Sequence, residues 1–177
     1  MGRKSTETRY GSVAVTIHWL SAILIVFLFG SGFRAEDATD TAAKVFFLQF
    51  HVPAGLLILL LTLTRIGWWV FADNKPQPVS MPAWQDRLAR VAHILLYVVI
   101  LGMASSGIGI MVLSGAGAII FAGEPGPLPD LWQFLPRTPH AIAARVLIVL
   151  LVLHAGAALY HHFVTRDGLL RRMWFSK

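Results

Sequence analysis

Four long apolar stretches, parted by short polar segments, set the plan of this chain. Residues 13–33 run for 21 positions with no Asp, Glu, Lys or Arg, and residues 45–64 for 20 before Arg65 closes them. Residues 91–113 supply 23 more, and residues 141–164 a further 24, interrupted by Arg145. A helix needs about 20 predominantly apolar residues to cross a bilayer. Backbone amides in lipid must bond within their own segment, so each stretch is expected to be helical. With flanking turns, the helices are predicted at approximately 13–33, 45–72, 87–113 and 140–164. The expected fold is all-α: an integral membrane four-helix bundle of up-down topology, a single transmembrane domain over residues 1–177. The first stretch is too long for the apolar part of a signal peptide, and no small-x-small cleavage site follows it.

The polar segments differ in kind. The first outer loop, residues 34–44, is short and carries Glu36, Asp37 and Asp40. Pro76, Pro78 and Pro82 make the inner loop after the second stretch extended. The second outer segment, residues 114–139, is rich in Gly and Pro but also holds Ile119, Ile120, Phe121, Leu131, Trp132, Phe134 and Leu135. Those apolar residues suggest that it folds back onto the mouth of the bundle. No internal repeat is visible. In the third stretch Gly102, Ser105, Ser106, Gly107 and Gly109 allow either close helix packing or room for a flat macrocycle beside the backbone.

Charge orients these helices. Eleven basic residues (Arg3, Lys4, Arg9, Arg65, Lys75, Arg87, Arg90, Arg166, Arg171, Arg172 and Lys177) fall on the side of the N-terminus, and four (Arg34, Lys44, Arg137 and Arg145) on the other. The positive-inside rule then puts both termini in the cytoplasm. The net charge of +6 is accounted for in this way, and no aromatic-interleaved basic patch argues for nucleic acid. Cysteine is absent, which excludes disulfides, iron–sulfur clusters and covalently attached haem. Any haem is held by histidine or methionine.

Seven histidines supply the candidate chemistry. Ionisable residues inside a bilayer are costly and read as functional by default. His140 and His154 are fourteen residues apart, a rise of about 21 Å with a return to within about 40° of the same helix face. They therefore mark two levels on one helix. His51 and His140 are the histidines of the outer leaflet and are expected to share one haem. The inner level offers His18, His93 and His154 for two places. His154 takes one, and spacing alone does not choose between His18 and His93. His161 lies about 10 Å beyond His154 and within about 20° of its face, at the depth of a quinone headgroup. His162 points elsewhere. A boundary histidine such as His140, His161 or His162 can also simply face headgroups. A histidine-lined proton or metal transporter is the competing class, weakened because none of the four apolar stretches contains Asp or Glu.

Several motifs then carry a resemblance. Arg9-Tyr10-Gly11-x4-Thr16-Ile17-His18-Trp19-Leu20 resembles the opening of the bacterial cytochrome b561 family, which is related to the cytochrome b subunits of nickel–iron hydrogenases and formate dehydrogenases. His51-x3-Gly55-x9-Arg65 resembles its second helix, and Met81-Pro82-x-Trp84-Gln85-x2-Leu88-Ala89-x3-His93-x3-Tyr97 its third. His154, His161-His162-Phe163, Asp167, Leu170 and Arg171 resemble its fourth helix and tail. The resemblance implies two bis-histidine b-type haems, the inner one on His18 and His154 and the outer one on His51 and His140. It implies ubiquinone chemistry near His161, with His93 next to the inner haem rather than on it. Arg34, Arg65 and Arg145 become candidates for the haem propionates. Family members divide between conduits for a periplasmic or membrane redox partner and a stand-alone type that oxidises superoxide. The outer segments hold four basic residues against five acidic ones, Glu36, Asp37, Asp40, Glu124 and Asp130. That balance favours a protein or neutral donor over an anion.

Overall fold

The computed structural model describes residues 2–175, so Lys177, one of the eleven inner basic residues, lies outside the described residues. Its four long helices are α1 (Ser12–Asp37), α2 (Thr41–Gly67), α3 (Ala83–Ser114) and α5 (Arg137–Tyr160), with a short α4 (Ala116–Ala122) between the last two. A π-helical turn, Trp68–Ala72, extends α2, and another, His161–Thr165, extends α5. The four long elements are each long and apolar enough to cross a membrane. Many of their large side chains face outward, Val26 at 70%, Val112 at 73% and Val152 at 66% exposure. So much apolar surface is stable only against lipid. The chain is a multi-pass membrane protein.

The bundle is two hairpins: α1 packs mainly on α2, and α3 on α5. The helices overrun their apolar stretches. Helix α1 continues through Arg34, Ala35, Glu36 and Asp37, so the expected outer loop over residues 34–44 shrinks to Ala38, Thr39 and Asp40. A helix keeps its own hydrogen bonds past the end of its apolar run, so Arg34, Glu36 and Asp37 extend it without loss. Asp40 starts α2 by accepting a bond from the Ala43 amide at 2.8 Å. Helix α3 begins at Ala83 rather than 87, directly after Pro82, and α5 at Arg137 rather than 140.

The second outer segment folds back. Gly115, at φ +66°, turns the chain out of α3 in a conformation that glycine adopts without strain. Helix α4 then buries Ala116 and Ile120 against Ala35 of α1 and Leu48 of α2. A second core lies mid-bundle, where Ile25, Ile58 and Leu147 pack with Leu28, Ile100 and Leu151. Leu147 is 3% exposed and stands seven residues from both His140 and His154. A dry apolar layer therefore separates the two histidine levels.

The inner ends are tied by polar bonds. Ser5 donates through its amide and hydroxyl to Asp73, which also accepts from the Trp68 indole at 3.1 Å. Arg172 reaches the carbonyls of Thr8 and Gln77. Trp19 of α1 donates to the carbonyl of Met173 at 2.8 Å and stacks edge-on with Trp174. The segment before α1, the inner loop and the tail thus form one cap. Burial pushes the Asp73 carboxyl up, but its bonds from Ser5, Trp68 and Asn74 outweigh that and hold it below the ordinary carboxylate range.

A candidate two-level haem site

At the outer level, His51 of α2 and His140 of α5 face each other with ring centres 6.3 Å apart. Each is held by the neighbouring helix of its own hairpin. The Ser31 hydroxyl of α1 donates to the Phe27 carbonyl at 3.0 Å and contacts His51 Nδ1 at 3.1 Å. A hydroxyl has one hydrogen, so its oxygen accepts from Nδ1–H. The Ser106 hydroxyl of α3 donates to the Met103 carbonyl, and His140 Nδ1 lies 3.0 Å from Ser106 Oγ and 3.1 Å from Met103 O. A carbonyl only accepts, so Nδ1 carries the proton there too. Both rings are left with an unprotonated Nε2, the form that binds a metal.

Glycine follows serine at both places. A Cβ on Gly32 would stand 2.9 Å from His51 Cε1, too close without a shift of the ring, whereas one on Gly107 would meet His140 Cε1 at 3.4 Å, close to an ordinary contact. The dipeptides Ser31-Gly32 and Ser106-Gly107 thus stand against a histidine in each hairpin, and only the first is sterically bound to glycine. Around the two rings is a cavity of about 440 Å³, lined by Phe29, Gly55, Ala104, Ala144 and Arg145 among others. It lies within the usual range for cofactor sites, about 300–1,000 Å³. Its mouth carries Lys44 and Arg137. Arg137 pairs with Glu36 and lies over the Trp132 ring at 4.1 Å.

At the inner level, His18 of α1 and His154 of α5 have ring centres 6.2 Å apart. His93 of α3 approaches His154 more closely, at 5.4 Å. Arg65 of α2 donates to His18 Nδ1 at 3.2 Å, while its buried Nε has no partner among the described residues. A buried donor left unpaired is costly and fits an anionic oxygen not belonging to this chain, such as a propionate. A metal held between two imidazole nitrogens at about 2 Å each would need ring centres roughly 6 Å apart. The separations of 6.2 and 6.3 Å leave that room, and His93 stands closer to His154, at 5.4 Å.

The remaining expected site residues are scattered. Arg145 lines the outer cavity and bonds the Ala141 carbonyl of its own helix. Arg34 lies apart from that cavity, in a groove among Phe27, Phe46 and Phe50. Lys44 and Arg137, which do line the cavity, were passed over in the sequence because only depth, and not facing, can be read from spacing. His161 is buried beneath the inner level and bonded to Asp167, whereas His162 packs edge-on against Phe163. Among the described residues, no three His, Cys, Asp or Glu side chains converge to cage a metal ion.

Paired imidazoles at two depths of a four-helix membrane bundle define a membrane cytochrome of the b type. Comparison with known proteins identifies the family: residues 9–176 match the model of the prokaryotic cytochrome b561, and the chain belongs to that family. It is 33% identical to a cytochrome b562 of Cereibacter sphaeroides over 94% of this chain and 96% of that protein. It is 26% identical to a cytochrome b561 homologue of Escherichia coli over 93% and 96% of the two chains. A probable superoxide oxidase of Yersinia pestis is 28% identical over 96% and 97%. The protein is thus a membrane cytochrome b that carries electrons, with b-type haem as the cofactor its family implies.

Proposed function

We propose that the protein is a two-haem conduit in a bacterial inner membrane, both termini cytoplasmic, passing electrons from an extracytoplasmic donor to ubiquinone. His51 and His140 hold the outer haem and His18 and His154 the inner one. The observation that carries this reading is the pair of matched ring separations, 6.3 and 6.2 Å, on one shared helix. Haem iron, once bound, supplies one-electron chemistry at a potential set by its axial ligands and their hydrogen bonds. The chain does the rest. Ser31, Ser106 and Met103 fix the outer imidazoles with Nε2 bare. Were His18 to hold the iron through Nε2, its Nδ1 would carry a proton and Arg65 would be the residue to pair with a propionate instead. Arg145 serves the outer propionates, a role for which Arg34 is poorly situated. His93 lies beside His154 as a neighbour of the inner haem. Ile25, Ile58 and Leu147 keep water and protons from crossing between the levels. Electrons leave at the inner level to a quinone close to His161.

The donor is a partner protein rather than superoxide. Arg137, the base closest to the outer histidines in sequence, is already paired with Glu36, and the outer segments are slightly acidic. The likeness to a probable superoxide oxidase supports the second reading. Stopped-flow mixing of the oxidised protein with superoxide, with and without ubiquinone, separates them. Slow haem reduction is expected. Reduction near the diffusional limit of about 10⁸–10⁹ M⁻¹s⁻¹ would make the chain a superoxide:ubiquinone oxidoreductase instead.

A further inference from the structure

The tail beyond α5 is built around one buried ring. Helix α5 gives way to a π turn, and Arg166 then adopts the left-handed conformation at φ +54°. That residue and Gly168, at φ +79°, reverse the chain and bring Asp167 back to the helix end. Asp167 Oδ2 lies 2.5 Å from His161 Nδ1, and Oδ1 accepts from the Leu169 amide at 3.0 Å. Thr165 adds a contact to the same nitrogen at 3.4 Å. His161 is 9% exposed, and the other titratable group against its ring is Tyr160, edge-on at 6.0 Å. Burial pushes the Asp167 carboxyl up, yet the bonds from His161, Leu169 and Thr165 prevail and hold it below its ordinary value. It is therefore an anion at neutral pH, and His161 Nδ1 carries a proton toward it.

We propose that Asp167 is the positioning residue of the quinone site: it holds His161 with Nδ1–H turned to its carboxylate, so that Nε2 is the nitrogen that gives protons to a quinone oxygen. The inference rests on the quinone reading of His161. Reduction of one quinone to quinol takes two electrons, arriving one at a time from the haem side, and two protons, which form the two O–H bonds. One proton passes through Nε2 to the quinone oxygen that faces the ring, leaving a neutral imidazole still bonded to Asp167 that regains its proton from cytoplasmic water; the opposite oxygen takes its proton from water. The carboxylate accepts from Nδ1 throughout and does not itself lose or gain a proton. A positioned general acid of this type contributes about 10²–10⁴-fold.

Asp167→Asn is a narrow test, because the amide oxygen can still accept from Leu169 while the charge is lost. Haem-loaded protein in lipid nanodiscs is reduced, then mixed with a short-chain ubiquinone in H₂O and in D₂O. Haem content should stay at the wild-type level. Reoxidation should slow by about tenfold or more with a larger solvent isotope effect, and Asp167→Glu should recover most of the rate. A wild-type rate and isotope effect in Asp167→Asn would overturn the inference while leaving His161 in place. A wild-type rate in His161→Ala would remove the quinone reading on which it rests. A readout independent of turnover is the Nδ1 proton of His161 in the NMR spectrum of the reduced wild-type protein, identified by its loss in His161→Ala. A strongly deshielded resonance is expected, and an ordinary imidazole shift would also overturn the proposal.

Discussion

The two histidine levels share a ring spacing and little else. The outer pair sits in a mainly apolar cavity that Lys44, Arg137 and Arg145 also line, each ring bonded to a serine with a glycine beside it. The inner pair meets a guanidinium on one side and a third histidine on the other, above a cap of polar loops. Neutral oxygens fix a tautomer without adding charge, which suits a centre that only accepts and passes electrons. Charged and titratable groups at the inner level suit the proposed quinone side, where electron transfer would be joined to proton uptake. The proposed assignment divides the labour unevenly among the helices. On it, helix α5 serves both levels, α1 and α2 each give one ligand, and α3 contributes support at both, through Ser106 and Gly107 outside and His93 inside.

Removal of ligands should break the comparison most strongly. His51→Ala or His140→Ala should lower the haem:protein ratio from two to one and spare the inner haem. His18→Ala or His154→Ala should do the reverse, and His93→Ala should keep both, all read by pyridine haemochrome. If His93→Ala loses a haem while His18→Ala keeps two, the inner pair is wrongly assigned. Next in size is Gly32→Val. Its branched side chain would collide with the His51 ring and should empty the outer level alone, whereas a variant with both haems intact would show that the ring has room to move.

Arg65→Met should act on the inner level only. Loss of a supporting partner of this type weakens cofactor affinity roughly 10–100-fold, measurable as haem retention against a haem-scavenging apoprotein. An equal loss from the outer level would contradict the separation of the two. Ser106→Ala and Ser31→Ala should be milder. A hydrogen bond of about 0.5–1.5 kcal/mol net corresponds to roughly a two- to tenfold weakening of the outer haem. The smallest effect is expected at the inner cap. Asp73, with its carboxyl held below the ordinary value, stabilises the cap above the usual carboxylate pKa of about 3.9, and that contribution is lost as pH falls through its lowered value. Limited proteolysis of the segment before α1 should therefore be slow at neutral pH, faster in strong acid, and faster at neutral pH in Asp73→Ala. Unchanged cleavage in the variant would show that Asp73 does not hold the segment.

Much of this contrast is legible from residue order, and the reasons are physical. Apolar run length gave the four crossings because a bilayer imposes one length on every helix. The fourteen-residue interval of His140 and His154 gave two levels because helical rise is constant. What spacing does not carry is rotation about a helix axis. It leaves His18 and His93 level at the inner site, where both rings stand near His154, at 6.2 and 5.4 Å. The Ser-Gly repetition was equally hidden, since two residues are too short to stand out until both pairs are seen against a histidine. The ends of the helices were misjudged at Arg34–Asp37 because hydropathy stops at the membrane surface and hydrogen bonding does not.

The claim of two separate, unlike haem levels is tested most directly by potentiometric titration of the purified protein with the reduced-minus-oxidised spectrum as readout. Two b-type haems per chain, titrating in two one-electron steps, are expected, with only one step displaced in Arg65→Met. A single haem per chain, or no b-type bands, would contradict it.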